Sequence, residues 1–288
     1  MKILVLLLIS FLVGHEYYLN GNVDIYVEAP SGERSIVRMP KRDANQLESF
    51  FRKILLPEGL AYTIAGLKPL SFTCFRTPRY SLLSYSIPNL RIVRGWKTWR
   101  RYKHHFENDR VKFWIEESPW VKGISCLILA DGEQCHRVIQ ENFSYFEGVL
   151  NHLSFDLFKD VDQVPFFLDT LKMDEGLIGI LLGYGKENAL LYHQNNLKGK
   201  SFIPLPRIWN DEERKSTQYL WKYCTLQPLD ISDLLLPIFV GNPNSEESID
   251  LKKKYLTAKN KIEKYYSGRN FLSATLSLYK HGSALLEK

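Results

Sequence analysis

Apolar and polar residues partly alternate over residues 23–29 (Val-Asp-Ile-Tyr-Val-Glu-Ala), the period of a strand with one buried face. Pro30-Ser31-Gly32 supplies a turn, and residues 35–39 pair back as the second arm of a hairpin. The period then lengthens. Leu47, Phe50, Phe51, Ile54 and Leu55 recur at helical spacing, which predicts a helix capped by Asp43, with Gln46 completing a capping box and Pro57-Glu58-Gly59 ending it. Residues 60–90 are rich in Tyr, Thr, Ser and Phe and are broken by Gly66, Pro69, Pro78 and Pro88, so short extended pieces and loops are expected there. A helix over 91–106 and two paired strands over 111–116 and 124–130 follow. Asp131 and Gln134 then repeat the capping-box signature before a helix with Cys135, Val138, Ile139, Phe143, Phe146 and Val149 on one side.

The remainder reads as helices over 164–171, 174–182, 187–195 and 212–223, with a Pro204-Leu205-Pro206 loop. Asn244, with Glu247 three residues on, predicts the cap of a long helix whose Leu251, Tyr255, Ala258, Ile262 and Tyr265 keep heptad spacing. Lys252, Lys253, Lys254, Lys259, Lys261 and Lys264 fall mostly on its other faces, and Ser267-Gly268 stops it. A last helix starts at Asn270. The expected class is α+β, with short strands mainly in the first half and a helix-rich second half. At 288 residues the chain can bury a sizeable core, and residues 21–288 are expected to form one globular domain, any sub-boundary falling near 131–165.

The amino terminus departs from this pattern. Lys2 precedes an unbroken apolar run over residues 3–13, the arrangement of a secretory signal. The run is shorter than the roughly 20 residues of a transmembrane helix. Residues 1–20 are therefore expected to be a signal peptide or N-terminal anchor. The setting is then export to periplasm, envelope or medium, or anchoring by residues 3–13. The apolar stretch at 176–184 covers nine residues and reads as a buried helix. Cys74, Cys126, Cys135 and Cys224 form no C-x-x-C pair. Their even number permits two disulfides, while the apolar surroundings of Cys126 and Cys135 favour free thiols.

Charge changes the picture most. The chain's net charge of +6 conceals a concentration over residues 68–112, where eleven basic residues face only Glu107 and Asp109, a local +9. Within it, Trp96, Trp99, Tyr102 and Phe106 fall on one helical arc, and Lys97, Arg100, Arg101, His104 and His105 on the opposite one. Three readings compete: a core helix with its cations in water, a peripheral helix on an anionic membrane with Trp at the interface, and a nucleic-acid contact. Export and the lack of any RRM, KH, OB or finger signature speak against the last.

Catalytic signatures are scarce. Gly183-Tyr184-Gly185-Lys186 invites a phosphate-loop reading, but Ile180 stands where a P-loop needs Gly and Glu187 where it needs Ser or Thr. Cys135 and His136 are sequence neighbours and so do not face each other on a helix. No metal-ligand spacing or cofactor fingerprint appears.

Two segments resemble known sequences. Tyr62-Thr-Ile-Ala-Gly66-Leu-Lys68-Pro69-Leu-Ser-Phe72 is similar to Y-T-L-x-G-x-K-P-x-S-F, and residues 179–189 are similar to G-x-L-L-G-Y-G-K-E-N-A. Both resemble segments of uncharacterised proteins of chlamydia-type intracellular bacteria. The resemblance implies a bacterial envelope or secreted setting and carries over no catalytic residue. Read physically, Gly66 and Lys68-Pro69 turn the chain between extended pieces, Asn188 caps the helix after the glycine turn, and Lys68, Lys186 and Glu187 form a polar cluster where the two loops meet.

These features point first to an exported, non-enzymatic protein that binds a membrane or protein partner through Trp96, Lys97, Trp99, Arg100, Arg101, Tyr102 and His104. The rival expectation is an exported hydrolase-like enzyme whose site is assembled from distant residues, with His136, His152, His193, Asp131 and Glu187 as candidates.

Overall fold

The computed structural model describes residues 21–76, 87–118, 121–150, 171, 174–197, 207–209 and 229–287. The apolar run at 3–13, most of the helix predicted over 164–171, the helix over 212–223, the Pro204-Leu205-Pro206 loop, His152 and Cys224 lie outside the described residues.

β1 (Asn22–Glu28) and β2 (Arg34–Pro40) pair antiparallel, with Ile25 opposite Val37. Ile25, Val27, Val37 and Met39 are buried, so the alternation sets the register as expected. β2 runs directly into α1 (Lys41–Leu55), whose N-cap is Pro40 and not Asp43. Pro40, at φ −55° and ψ 138°, is the extended residue before the first turn, and the helix begins at Lys41, earlier than the capping signature suggests. Asp43 and Gln46 are released from capping and face a neighbouring helix instead. The predicted apolar face of α1 is buried throughout.

A short helix, α2 (Leu60–Ile64), stands where extended chain was expected. All five residues are buried, and Gly59 (φ +70°) and Gly66 (φ +72°) turn the chain on either side. β3 (Leu70–Arg76) follows. α3 (Ile87–Tyr102) starts four residues before the predicted helix, because Pro88 sits in the first turn, where a missing N–H costs nothing. A 3₁₀ turn, Lys103–His105, ends it.

β4 (Val111–Glu117) and β5 (Ile124–Asp131) complete a three-stranded antiparallel sheet of order β3-β5-β4. The central strand β5 is apolar without alternation because both of its faces are covered. Leu127 and Leu129 enter one core with α1, α2 and α3, while Cys126, Ile128 and Ala130 enter a second.

The second core is closed by α4 (Gly132–Glu141), α5 (Phe143–Leu150), α6 (Glu175–Leu181) and α7 (Lys186–Leu197). Asp131 caps α4 as predicted, accepting from Gln134 N at 3.0 Å. The single helix expected from there to Val149 is broken at Asn142, and the phase restarts, leaving Phe143 exposed. α8 (Glu246–Tyr266) and α9 (Phe271–His281) pack into the first core. Ser245, not Asn244, caps α8, while Asn270 caps α9. Lys259 is buried on α8, 3.8 Å from Glu263, against the expectation that the lysines avoid the core. The described residues thus form an α+β fold with nine α-helices and two small antiparallel sheets, the strands lying in the first half. No helix among them is long and apolar enough to cross a membrane.

Candidate functional site

α3 lies close against α1 because position 95 is glycine. A Cβ there would fall 2.1 Å from Phe50 Cβ, so no other residue permits this approach without displacement. Asp43 Oδ2 accepts from Arg101 Nη1 at 2.7 Å and from Tyr102 Oη at 2.8 Å, and Thr98 Oγ1 donates to Gln46 at 2.7 Å. These contacts fix the rotation of α3 about its axis.

That rotation turns the aromatic arc inward. Trp99 is buried among Phe51, Phe106 and Tyr279, with ring centroids 5.4, 5.9 and 5.0 Å away. Trp96 packs edge-on against Phe113 at 5.1 Å, and Phe106 is fully buried. Trp99 therefore belongs to the core, with Trp96 half-buried against it, and Trp99 has no surface with which to enter a membrane interface. Burial and the Asp43 hydrogen bond push the half-buried Tyr102 hydroxyl above its ordinary pKa.

The opposite arc faces out. Arg91, Arg94, Lys97, Arg100, Arg101, Lys103, His104 and His105 are all exposed, and no acid occurs between residues 87 and 106. Arg91, Arg94, Lys97 and Arg100 follow one another at three-residue spacing over about 14 Å of helix. Arg101 keeps 63% of its side chain exposed while paired to Asp43. Burial and the neighbouring His104 hold His105 below the usual imidazole pKa. Beside the ridge, a cavity of about 420 Å³ is lined by Asn45, Ser49, Lys53 and Arg91, together with the Glu48–Arg52 ion pair and Leu229. Burial lowers the Lys53 pKa to about 8, Glu58 opposing this and Arg91 adding to it.

The glycine turn before α7 has a structural occupant. Glu247 from α8 places its carboxylate at the first turn of α7, accepting from Glu187 N at 3.1 Å and Asn188 N at 2.9 Å. Gly183 and Gly185 have φ of +72° and +85°, and a Cβ on Gly185 would fall 2.4 Å from the Glu247 carboxyl carbon. Asn188 is not a cap. It is buried within α7, its Nδ2 donating to Tyr184 O and Ser248 Oγ, and its Oδ1 accepting from Asn242 N. The two segments that carry the resemblance do meet, since a Cβ on Gly183 would lie 3.4 Å from Pro69 and 3.5 Å from Lys68. The proposed polar cluster does not form there. Lys68 is buried over the Tyr184 ring at 5.5 Å, Lys186 lies over Tyr145 at 4.7 Å, and Glu187 is exposed.

The residues of the enzyme reading have separate places. Asp131 is buried against Arg110 while it caps α4, and burial lifts its carboxyl pKa despite that pairing. His136 is half-buried on α4, and His193 Nδ1 stands 3.7 Å from Asp174, the cap of α6. None of His136, His193, Asp131 or Glu187 lines the cavity by α1, the apolar cavity of about 330 Å³ between α6, α7 and residues 238–240, or the cavity of about 670 Å³ along α8. Among the described residues no group of three or more His, Cys, Asp or Glu side chains could hold a metal ion.

Sequence reading missed the roles of Asp43, Gln46 and Glu247, because capping signatures look the same whether a side chain caps its own helix or another. Comparison of the chain with protein-family models, with curated proteins and with solved structures finds no match.

Proposed function

We propose that this is an exported, non-enzymatic protein that binds an anionic membrane surface through the outer face of α3. The observation that carries the reading is the outer arc of Arg94, Lys97, Arg100 and Arg101, all exposed, with no acid on the same helix. Each cation near an anionic bilayer contributes on the order of 1 kcal/mol, so three or four acting together give useful affinity without insertion. The burial of Trp99 supports contact by charge alone, with Lys97, Arg100, Arg101 and His104 at the surface and the aromatics holding the helix in place. The apolar run after Lys2 supports the exported setting.

Sedimentation of the full chain with phosphatidylcholine vesicles, with and without phosphatidylglycerol, tests this. Binding is expected only with the anionic lipid, is lost at high salt, and is strongly reduced in a Lys97→Glu/Arg100→Glu variant. Equal binding to both vesicles, or to neither, removes the electrostatic membrane reading.

A further inference from the structure

Cys74 on β3 and Cys126 on β5 stand directly opposite each other in the antiparallel ladder. Opposed residues of such a pair have Cα atoms about 4.5–5.5 Å apart, inside the roughly 4.4–6.8 Å range that a disulfide spans. Their Sγ atoms lie 2.6 Å apart, so no backbone movement is needed to join them. The two thiols differ in access. Cys126 is fully buried on the central strand, whereas Cys74 is exposed on an edge strand. The hydrogen bond between them holds the Cys74 thiol below its ordinary pKa, burial opposing, and pushes the Cys126 thiol up. Cys135 contrasts with both: it is fully buried, its thiol donates to Pro69 O at 3.3 Å, and burial raises its pKa. A solvent-facing thiolate backed by a second thiol is the arrangement that exchanges with disulfides.

We propose that Cys74 and Cys126 form a redox-active dithiol site, oxidised to a cross-strand disulfide by exchange with an external disulfide. The Cys74 thiolate attacks one sulfur of the external disulfide, forming a mixed disulfide and expelling one thiolate. Cys126 then loses its proton and attacks the Cys74 sulfur, expelling the second. The two protons from the cysteines leave with the two released thiolates, and the external disulfide takes up the two electrons. The bridge ties the β3 edge to β5 and closes the segment that carries α3. It rests on strand register and is independent of what α3 binds.

The test uses the purified full chain, reduced, then equilibrated with oxidised glutathione, digested without reductant and mapped by mass spectrometry. The expected product is a linked pair of peptides bearing Cys74 and Cys126, with neither retaining glutathione and nearly all alkylatable Cys74 lost. Cys126→Ser is expected to trap glutathione on Cys74, and Cys74→Ser to leave Cys126 unmodified. A glutathione adduct that persists on Cys74 in the unsubstituted chain, a Cys74 linked to another cysteine, or a Cys74 still fully alkylated by iodoacetamide overturns the proposal. Should Cys126→Ser fail to fold, the map of the unsubstituted chain decides alone.

Discussion

Glu247 on α8 caps α7 across the fold, its carboxylate 2.9 Å from the backbone N of Asn188. An acid at a helix start satisfies donors that have no partner within the helix and interacts favourably with the helix dipole. The turn that a phosphate-loop reading would assign to a nucleotide is thus held by the protein's own carboxylate. Removing it in Glu247→Ala is expected to cost about 1–2 kcal/mol. Gly185→Ala is expected to cost more, about 2–3 kcal/mol, since its φ of +85° and the carboxyl at 2.4 Å both oppose a Cβ. In the double variant the clash disappears but the backbone penalty stays. Urea titration of the four proteins is expected to show the pair costing less than the sum by about 1 kcal/mol.

Gly95 poses an opposite test of helix propensity. Alanine in an exposed helix interior stabilises by about 1 kcal/mol relative to glycine. Here its Cβ would overlap Phe50, and overpacking of this kind costs about 1–3 kcal/mol or more. Gly95→Ala is therefore expected to destabilise the fold and to push α3 away from α1, breaking the Arg101–Asp43 contact. Thermal unfolding reads the sign, and a raised Tm would contradict the close approach.

The two arcs of α3 separate under mutation. Trp99→Ala opens a cavity among Phe51, Phe106 and Tyr279, with an expected cost of about 3–5 kcal/mol. Lys97→Ala, on the exposed arc, is expected to stay within about 0.5 kcal/mol of the unsubstituted chain. The membrane reading requires the reverse order for vesicle binding per folded molecule, Lys97→Ala weakening it and a conservative Trp99→Phe leaving it unchanged. Parallel denaturation and sedimentation of these variants check both halves.

The amphipathic arcs of α3, the β1–β2 hairpin and the apolar seam of α8 were legible because each buries one face at a regular period. α2 was not, since a helix of five residues buried on all sides shows no period to read. The charge concentration was legible only as a sum. Arg110 is spent on the buried Asp131 and on Ile64 O, Arg101 on Asp43, and Lys68 lies inside the protein. Folding assigns some of these neighbouring cations to internal pairing and others to the outer face of α3, and no sequence arithmetic separates the two. Likewise the opposition of Cys74 and Cys126 exists only once β3 is recognised as a strand, which its Tyr, Thr, Ser and Phe surroundings conceal.

Lys68 gives the fold a measurable dependence on pH. Its side chain is 3% exposed, and burial lowers the ammonium pKa to about 7, only partly opposed by Glu58. In the unfolded chain the group titrates near 10.5. Between these values the unfolded state holds the proton and the folded state releases it, so stability rises with pH. Below about 7 both states are protonated and the penalty of burying the charge is fully present, about 5 kcal/mol at most. Lys53, lowered to about 8 by burial, adds a slope of the same sign above that pH. Urea midpoints are therefore expected to increase from pH 7 to pH 9.5. Lys68→Met, which keeps the apolar stem beneath Tyr184 and removes the charge, is expected to be more stable than the unsubstituted chain at pH 7 and to show a shallower rise. Equal midpoints across this range, or a slope unchanged in Lys68→Met, would show that Lys68 stays protonated in the folded state.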